Sequence, residues 1–491
     1  MSTNPLVNRR RFLIGSSALV AGALGGPLLA ACTPSVNGAN PTAGPVDATA
    51  AKPAGLKMLY ATAEANAAAV QSLLPAFKAK FGMDLTIDTQ PYDALQQKVF
   101  AEFASQSSFY DIIIVDTPWA PALVSQLEPL SSYIGNAALN DMAKVDVADF
   151  IPKVFYDTTV YNVSNPVQHF PNEAGTPDPA AITAGGFEIF GLPIQANCQV
   201  MGYRKDMFTD AAQMAAYKSA TGKDLAVPKT WDEFTEVAKF FTNPDKKQWG
   251  TTVMAGVGDW ATDDFKSLLA AWGGNGHLVA DDLSLPFNSP EGVSALQFYV
   301  DLINKDKVTP PGSTAASWDE AASLFGAGTA VMTMNYHALE LDTAVSGGQI
   351  GYAVVPKNTA VGPHFGTWML SVNKYGANRA WAYRAVSWLT AAEQQLTMTK
   401  LQLHPTRKSV YSTVTGSGES DASVKEFYQV LGDSLAVGVG RARLTNYTEV
   451  SNSIAKAVNS AASGSTSAQD ALSSAAADVK RLLTSAGYKV P

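Results

Sequence analysis

The chain has 491 residues and a formal net charge of −8, with 35 lysines and arginines against 43 aspartates and glutamates. An acidic chain lacks the basic footprint that nucleic-acid binding needs, so we expect no nucleic-acid partner. The apolar and charged fractions are those of a soluble protein with a large core, and the length allows two or three domains.

The first 31 residues have the three parts of an export signal. Three consecutive arginines precede an uncharged run, Ile14 to Ala31, that is rich in Ala, Gly and Leu and ends in small residues. Glycines and Pro27 interrupt the run, which falls short of the roughly 20 clean apolar residues of a membrane-spanning helix. We therefore predict a signal peptide at residues 1–31 and an exported protein.

Cys32 is one of only two cysteines and follows the predicted signal directly. The arginines before Phe-Leu resemble a twin-arginine signal, and the sequence LAAC that ends at Cys32 resembles a bacterial lipobox. In a lipobox the cysteine is lipidated and becomes the first mature residue, which would anchor the chain to the outer face of the cell membrane. Cys198 would then have no disulfide partner. The alternative is an ordinary secretory signal with a chance cysteine.

Residues 33–54 contain Pro, Gly, Ala, Ser and Thr and no aromatic residue. This composition is typical of a flexible tether, so we assign residues 32–54 to the lipidated cysteine and a linker.

Strand and helix patterns alternate after the tether. The apolar spacing predicts strands at 56–61, 84–90 and 111–116 and helices at 66–82 and 94–105. This βαβαβ order indicates an α/β fold with a parallel sheet covered by helices. Further along, residues 171–186 are expected to form a loop or insertion, and residues 461–469 to separate two C-terminal helices.

Several stretches resemble the large, maltose-binding-like group of bacterial extracellular solute-binding proteins, the sugar-binding components of ABC importers. In chain order these stretches are LLPAFKAKFGMDLTI, DIIIVDTPWAPALVSQLEPLSSYI, FGLPIQANCQVMGYRKDMFTDA, VPKTWDEFTEVAKFF, SLFGAGTAVMTMNYH, GTWMLSVNKYGANRAWAYRAVSWLTAAEQQ and the C-terminal helix pair. Together they cover nearly all of the chain after the tether. The chain departs from the pattern at 140–186 and has Arg204 where Asn is commoner.

The resemblance implies a two-lobe, type II periplasmic-binding-protein fold, in which each lobe is a mostly parallel sheet with flanking helices. Lobe 1 would comprise 55–195 and 354–400, and lobe 2 would comprise 196–353 and 401–491. The ligand would bind between the lobes, at the carboxyl ends of the strands, and the lobes would close around it.

Polar and aromatic residues at the predicted strand ends are the candidates for ligand contacts. A sugar presents an apolar C–H face, which indole and phenol rings cover, and hydroxyl groups, which carboxylates and amides bind. The residues expected to bind ligand are Glu64, Asp116, Trp119, Gln195, Asn197, Asp259, Trp260, Tyr336, Trp368 and Tyr447. Glu64 could instead cap a helix. Trp231 is expected to pack in the core, because it follows Thr230 at a helix start that Glu233 closes as a capping box.

The sequence and the resemblance together predict a binding protein that captures a sugar or sugar-like solute and delivers it to an ABC transporter permease. We expect a monomer with no enzymatic activity, cofactor or metal. The main alternative is a secreted glycoside hydrolase, which would need two carboxylates on either side of the scissile bond. A surface adhesin is disfavoured by the order of strands and helices and by the aromatic residues at the strand ends.

Overall fold

The computed structural model of the protein describes residues 46–62, 65–274, 276–336, 350–418 and 420–491. The predicted signal peptide, Cys32 and Glu64 lie outside these residues. No helix in the described ranges is long and apolar enough to cross a membrane.

The strands and helices follow the alternation expected from the sequence. The strands are β1 (Gly55–Ala61), β2 (Asp84–Gln90), β3 (Ile112–Asp116), β4 (Val160–Tyr161), β5 (Glu188–Ile189), β6 (Leu192–Cys198), β7 (Val200–Arg204), β8 (Trp249–Thr251), β9 (Ala330–Asn335), β10 (Ile350–Ala353) and β11 (Phe365–Val372). The helices of the first half are α1 (Ala67–Gln71), α2 (Leu74–Phe81), α3 (Tyr92–Ala104), α4 (Ala120–Leu123), α5 (Ser131–Ile134), α6 (Pro152–Thr159), α7 (Pro179–Ala184), α8 (Lys205–Phe208), α9 (Ala211–Thr221) and α10 (Trp231–Phe241). Those of the second half are α11 (Asp259–Ala271), α12 (Pro290–Asn304), α13 (Trp318–Gly326), α14 (Arg379–Leu389), α15 (Ala392–Thr399), α16 (Lys408–Gly416), α17 (Ala422–Val437), α18 (Tyr447–Ala462) and α19 (Ala468–Ser485).

Two sheets organise the fold. The first has the strand order β2-β1-β3-β11-β6, and the second has the order β10-β7-β9-β8. In the first sheet only β11 runs against the other strands, and in the second only β7 does. β7 and β11 are antiparallel to their neighbours for the same reason. The chain enters β7 from the first sheet and β11 from the second, so each of these strands runs away from the crossing. The remaining strands of each sheet are parallel and end toward the crossing, as the fold prediction requires.

The predicted helix over 66–82 is in fact two helices, and this part of the prediction was wrong. The structure breaks the helix between α1 and α2 and places Pro75 in the first turn of α2. Proline has no backbone N–H to donate and is tolerated only near a helix start. Gly82 then ends α2 in the left-handed conformation, at φ 61°.

The segment 171–186, expected as a loop or insertion, contains the short helix α7. The Asp178 side chain accepts a hydrogen bond from the backbone N–H of Ala180, and Pro179 occupies the first helical position. Both are ordinary helix-start signals that the surrounding Gly- and Pro-rich sequence obscures.

Separate hydrophobic cores lie against the two sheets. One is built around β1, β3 and α14, and the other around α10, α11, α12 and the C-terminal pair α18 and α19. A third, smaller cluster joins β6, β7 and β10 to α16 and α17. The predicted capping box of Thr230 and Glu233 is present, and Trp231 is buried in the second core, so its predicted packing role is confirmed.

Three segments lie side by side where the chain passes between the sheets, and we call residues 198–200, 363–365 and 438–440 the crossing region. The Gln199 N–H donates to the His364 carbonyl at 2.9 Å. Val439 exchanges backbone hydrogen bonds with Pro363 and Phe365 at 2.9 and 3.2 Å. The crossing region is therefore a hydrogen-bonded unit rather than a set of separate linkers.

Candidate functional site

A cavity lies beside the crossing region, at the carboxyl ends of β3 and β9. Its empty volume, counted together with the solvent space at its open mouth, is about 480 Å³. The lining residues come from both sheets and from the crossing region: Tyr92, Asp116, Asn197, Asp263, Trp318, Tyr336, His364, Gly366, Trp368 and Arg441.

Asp116 is the last residue of β3, and its carboxylate is almost fully buried. The backbone N–H of Thr117 donates to Oδ1 at 2.9 Å, and the Tyr92 hydroxyl donates to Oδ2 at 2.8 Å. Burial raises the pKa of Asp116 to about 7, although Arg441 and the Tyr92 hydrogen bond act in the opposite direction. Each carboxylate oxygen retains a lone pair for a further donor.

Aromatic rings cover the Asp116 side of the cavity. Trp368 lies opposite Asp116 in the pairing of β11 with β3. Its ring meets the Trp119 ring edge to face at 5.5 Å, and the Tyr92 ring packs against both. Trp119 is only 1% exposed and supports Trp368 and Tyr92 from behind. These edge-to-face contacts fix the orientation of the Trp368 ring.

A second pair of aromatic rings, Trp318 and Tyr336, also lines the cavity. Trp318 is the first residue of α13, and Tyr336 directly follows β9. Their ring centroids are 6.5 Å apart and nearly perpendicular. Trp260 stands behind Trp318, with ring centroids 5.3 Å apart. Its ring also lies against Gly258, where a Cβ would come within 2.2 Å of the indole.

Arg441 supplies the positive charge of the cavity. Its guanidinium donates from Nε to Asp259 Oδ2 at 3.1 Å and from Nη2 to Asp263 Oδ2 at 2.8 Å. Its third nitrogen, Nη1, has no hydrogen-bond partner among the described residues and passes over Gly366, where a Cβ would lie 2.7 Å away. Burial raises the pKa of Asp263 to about 6, with Arg441 opposing this shift.

Asp259 and Asp263 are one turn apart on α11, so both carboxylates face Arg441. Asp259 also accepts hydrogen bonds from the Tyr447 hydroxyl, at 3.0 Å, and from the Ser451 hydroxyl. Tyr447 therefore contacts the ion pair rather than lining the cavity. No cluster of His, Cys, Asp and Glu that could hold a metal ion is found in the described ranges.

The structure places the predicted ligand-binding residues in two layers. Four of them line the cavity: Asp116, Asn197, Tyr336 and Trp368. Five pack behind the lining: Trp119, Gln195, Asp259, Trp260 and Tyr447. In this second layer the Gln195 side-chain amide donates to Asn197 Oδ1 at 2.8 Å.

Six residues that line the cavity were not among the predicted ligand contacts: Tyr92, Asp263, Trp318, His364, Gly366 and Arg441. Asp263 could in part have been inferred from the sequence, because it lies four residues after the predicted contact Asp259 and therefore on the same helix face. Trp318 resembles Trp231, because each begins a helix behind a capping box. Arg441 lies in an irregular segment far from α11 in the sequence, and no local pattern indicates its role.

Known proteins similar to this chain are binding proteins. The probable ABC transporter-binding protein of Deinococcus radiodurans is 27% identical over 223 residues, which cover 43% of this chain and 50% of the relative. The mannitol-binding protein of Pseudomonas aeruginosa is 22% identical over 443 residues, 81% of this chain and 85% of the relative. The maltose-bound structure of MalE3 from T. maritima has a TM-score of 0.69 at 25% identity and covers 87% of this chain and 100% of that one.

The chain spans about half the length of the relative from D. radiodurans. The likeness to MalE3 extends over nearly the whole described chain and shows the two-lobe α/β fold that the sequence predicted. The sequence matches a family description over residues 61–396, which is more than half of the chain. The chain therefore belongs to the bacterial extracellular solute-binding protein family.

Proposed function

We propose that this protein captures a neutral polyhydroxy solute, a sugar or a sugar alcohol, in the cavity beside the crossing region. The observation that carries the proposal is that one cavity is lined both by two indole rings, Trp368 and Trp318, and by buried groups that bind hydroxyls. The aromatic faces suit the C–H surface of a sugar or polyol. Asp116 accepts hydroxyl protons, while Arg441 Nη1 donates to a hydroxyl oxygen.

The charges in the cavity support an uncharged ligand. One guanidinium, Arg441, is already paired with the carboxylates of Asp259 and Asp263. Asp116 adds a further acidic group beside the cavity. A carboxylated or phosphorylated sugar would meet no unpaired cation among the described lining residues, and desolvating its charge without a partner would be costly.

Several named relatives bind ligands of this class. MalE3 was solved with maltose, and the relative from P. aeruginosa is named for mannitol. These names support the chemical class, and we draw the class of this protein's ligand from the cavity itself. A buried hydroxyl that finds no partner costs about 1–3 kcal/mol, so the polar lining residues would select among sugars and polyols.

We assign direct ligand contact to Asp116, Asn197, Tyr336 and Trp368, and add Arg441 and Trp318. Trp119, Gln195, Asp259, Trp260 and Tyr447 then act from the second layer by orienting these groups. Glu64 stays a predicted contact on the basis of its position in the sequence after β1. The lobe ranges given above, and closure of the lobes around the ligand, belong to the same proposal.

Delivery to an ABC transporter permease follows from the family and completes the proposed role, with the protein acting as a monomer that binds its solute without altering it. Its ligand would be caught outside the cytoplasm, where the predicted lipid on Cys32 holds the chain to the membrane. Replacing Cys32 should release the protein. We expect Cys32→Ala to move from the membrane fraction to the soluble fraction, as measured by immunoblotting, and retention after a high-salt wash would contradict the anchor.

Calorimetric titration against a panel of ligands tests the binding proposal. The panel contains mannitol, ribitol, maltose and glucose, with glucuronate and glucose 6-phosphate as anionic counterparts. We expect saturable binding of at least one neutral member and none of the anions. Analysis of each mixture for cleavage products separates binding from glycoside hydrolysis. Binding of an anion in preference to its neutral counterpart would overturn the proposed ligand class.

A further inference from the structure

A segment between β4 and α7 contacts both hydrophobic cores, and we call residues 162–173 the strap. Val163 and Phe170 pack against the first core, which lies around β1, β3 and α14, whereas Val167 packs against the second core. The strap lies within residues 140–186, where the sequence departs from the family pattern. It is therefore a feature outside the shared pattern that bridges the parts of the molecule built on the two sheets.

Phe170 fastens the strap to the first core. Its ring stacks on the Tyr156 ring of α6, with centroids 4.8 Å apart and planes 2° from parallel, and meets the Phe187 ring edge to face at 5.3 Å. Tyr156 and Phe187 are themselves buried members of the first core. Ring contacts of this kind fix the orientation of each ring. This end of the strap therefore moves with the first sheet.

His169, directly before Phe170, fastens the strap to the second core. Its Nδ1 lies 2.8 Å from Asp281 Oδ1, and its ring centroid is 6.2 Å from that of His277. A carboxylate only accepts hydrogen bonds, so Nδ1 donates, and this bond is the main cause of the lowered pKa of Asp281. Leu278 and Val279, between these two partners, are buried in the second core. Adjacent residues of the strap thus contact different cores.

A second connection between the two cores comes from Arg443. It is 3% exposed and lies between Ala442 and Leu444, which are both buried in the second core. Its guanidinium donates at 2.6–3.2 Å to four backbone carbonyls of α6, β4 and the strap, those of Tyr156, Asp157, Val160 and Gln168. The C-terminal end of a helix such as α6 attracts a positive charge. A chain segment of the second core is therefore bonded both to α6 and to the strap.

We propose that the strap holds the two lobes in the arrangement in which residues from both sheets line the cavity. Because the strap is fixed to both cores, a rotation of one lobe against the other strains or breaks its contacts. Arg441, which lines the cavity and pairs with α11, is only two residues before Arg443. The effect of the strap on affinity rests on the proposed function, whereas its effect on the arrangement of the lobes needs no ligand.

Distance measurements on the ligand-free protein test this restraint directly. Lys80 on α2 and Ser219 on α9 are exposed, and their helices pack against the first and the second core, respectively. Nitroxide labels on Lys80→Cys and Ser219→Cys, in a Cys32→Ala chain, report the distance between the lobes by double electron–electron resonance. Cys198 is buried and does not compete for the label. We expect a single narrow distance distribution when the strap is intact.

Substitutions that detach the strap from the second core should populate other distances. His169→Phe keeps an aromatic ring but cannot donate to Asp281, whose carboxylate is 58% exposed. It should raise the ratio of other distances to parent-like distances about twofold to fivefold, the scale of an exposed ion pair. Val167→Asp/His169→Phe also removes the apolar contact with the second core and should raise this ratio by about tenfold or more.

A matched control separates the strap from a general loss of surface ion pairs. Lys305→Met breaks an ion pair within α12 and should leave the distance distribution unchanged. Circular dichroism melts confirm that all variants fold. Parent-like distributions in both strap variants, or a broad distribution when the strap is intact, would overturn the proposal.

Affinity then tests the consequence for the cavity. If only the cavity-forming arrangement binds ligand, Kd should rise by the factor by which the parent-like population falls. Titration of Val167→Asp/His169→Phe with the tightest neutral ligand of the panel measures this factor. A rise in Kd with no fall in the parent-like population would mean that the strap acts on the site directly and would contradict the proposal. Failure of the parent to bind any panel member would instead overturn the proposed function and leave the distance result standing.

Discussion

Helices α10 and α11 both begin close to an acid and a tryptophan, but α10 buries only apolar residues whereas α11 also buries polar and charged ones. Thr230 and Glu233 cap α10 with a capping box, and its buried residues are all apolar. Gly258 precedes α11 without a side-chain cap, and α11 is buried on every side from Ala261 onward. Its buried residues include acids and a lysine.

The difference lies in where each helix finds its partners. The side chains that cap α10, those of Thr230 and Glu233, find their partners within four residues of the chain. Asp263 and Lys266 of α11, by contrast, depend on Arg441, His364 and Val439, more than 90 residues away in the sequence. A helix that needs distant polar partners is costly for stability, and such cost is typical of a binding site rather than of a supporting element.

The largest effect is expected from removing the cation of the α11 network. Arg441→Met leaves the buried carboxylate of Asp263 and the partly buried carboxylate of Asp259 without their cation, which should lower the free energy of unfolding by about 3–5 kcal/mol and abolish ligand binding. Urea unfolding measures the first effect and calorimetry the second. Lys223, which pairs with Glu236 of α10 on the surface, is the matched control, and Lys223→Met should change little. Similar urea midpoints for the two variants would contradict the contrast between the helices.

Substitutions of Trp231 and Trp260, near the starts of α10 and α11, should affect stability and ligand affinity differently. Trp231→Ala removes a buried core side chain and should lower the free energy of unfolding by about 3–5 kcal/mol while sparing affinity. Trp260→Ala, by contrast, should raise Kd at least about tenfold through the Trp318 ring that it supports. Melts and titrations of both variants test this, and parent-like affinity in Trp260→Ala would remove Trp260 from the site.

The pH dependence of the free energy of unfolding should reveal the cost of burying the Asp116 carboxylate. Burial raises its folded-state pKa from 3.8 to about 7, so its favourable contribution is present below pH 4 and is lost as the pH rises through 7. Asp116→Asn avoids this loss and should be more stable than the parent at pH 8, on the order of 2 kcal/mol, but equal to it near pH 4. It should also bind ligand more weakly. Parallel pH–stability curves would show that Asp116 is not buried as described.

The smallest effect is expected at the α10 cap. Thr230→Ala removes the side chain that accepts from the Glu233 N–H and should cost about 1 kcal/mol. Ligand affinity should not change, since α10 has no residue in the cavity lining. A loss of affinity in this variant would mean that α10 is coupled to the site after all.

The sequence predicted those features that depend on local patterns. Strand β3 is continuously apolar and β-branched, so its burial and the position of Asp116 at its end could be foreseen. The candidate residues Gln195 and Asn197 on β6, and Tyr336 directly after β9, lie in stretches that carry the family resemblance. The break between α1 and α2 was missed because apolar periodicity continues across Pro75, while the missing backbone donor decides the helix boundary.

The lining residues that were missed could not be predicted in the same way. Trp260 and Trp318 both follow helix-start sequences, and only the packing of one ring behind the other decides which lines the cavity. His364 and Arg441 have no periodic neighbours that mark them. Their importance comes from hydrogen bonds to α11 across long sequence separations, and such bonds are a property of the folded chain.

The close approach of Arg441 to Gly366 predicts which residues related sequences should have at these two positions. A side chain there would come within 2.7 Å of Arg441 Nη1, and two carboxylates prevent that arginine from moving aside. The glycine and the arginine should therefore be inherited together, and a relative with a larger residue at the equivalent of 366 should also have lost the arginine. This pair offers a two-position marker for sorting members of the family into groups with different ligand preferences before any of them is purified.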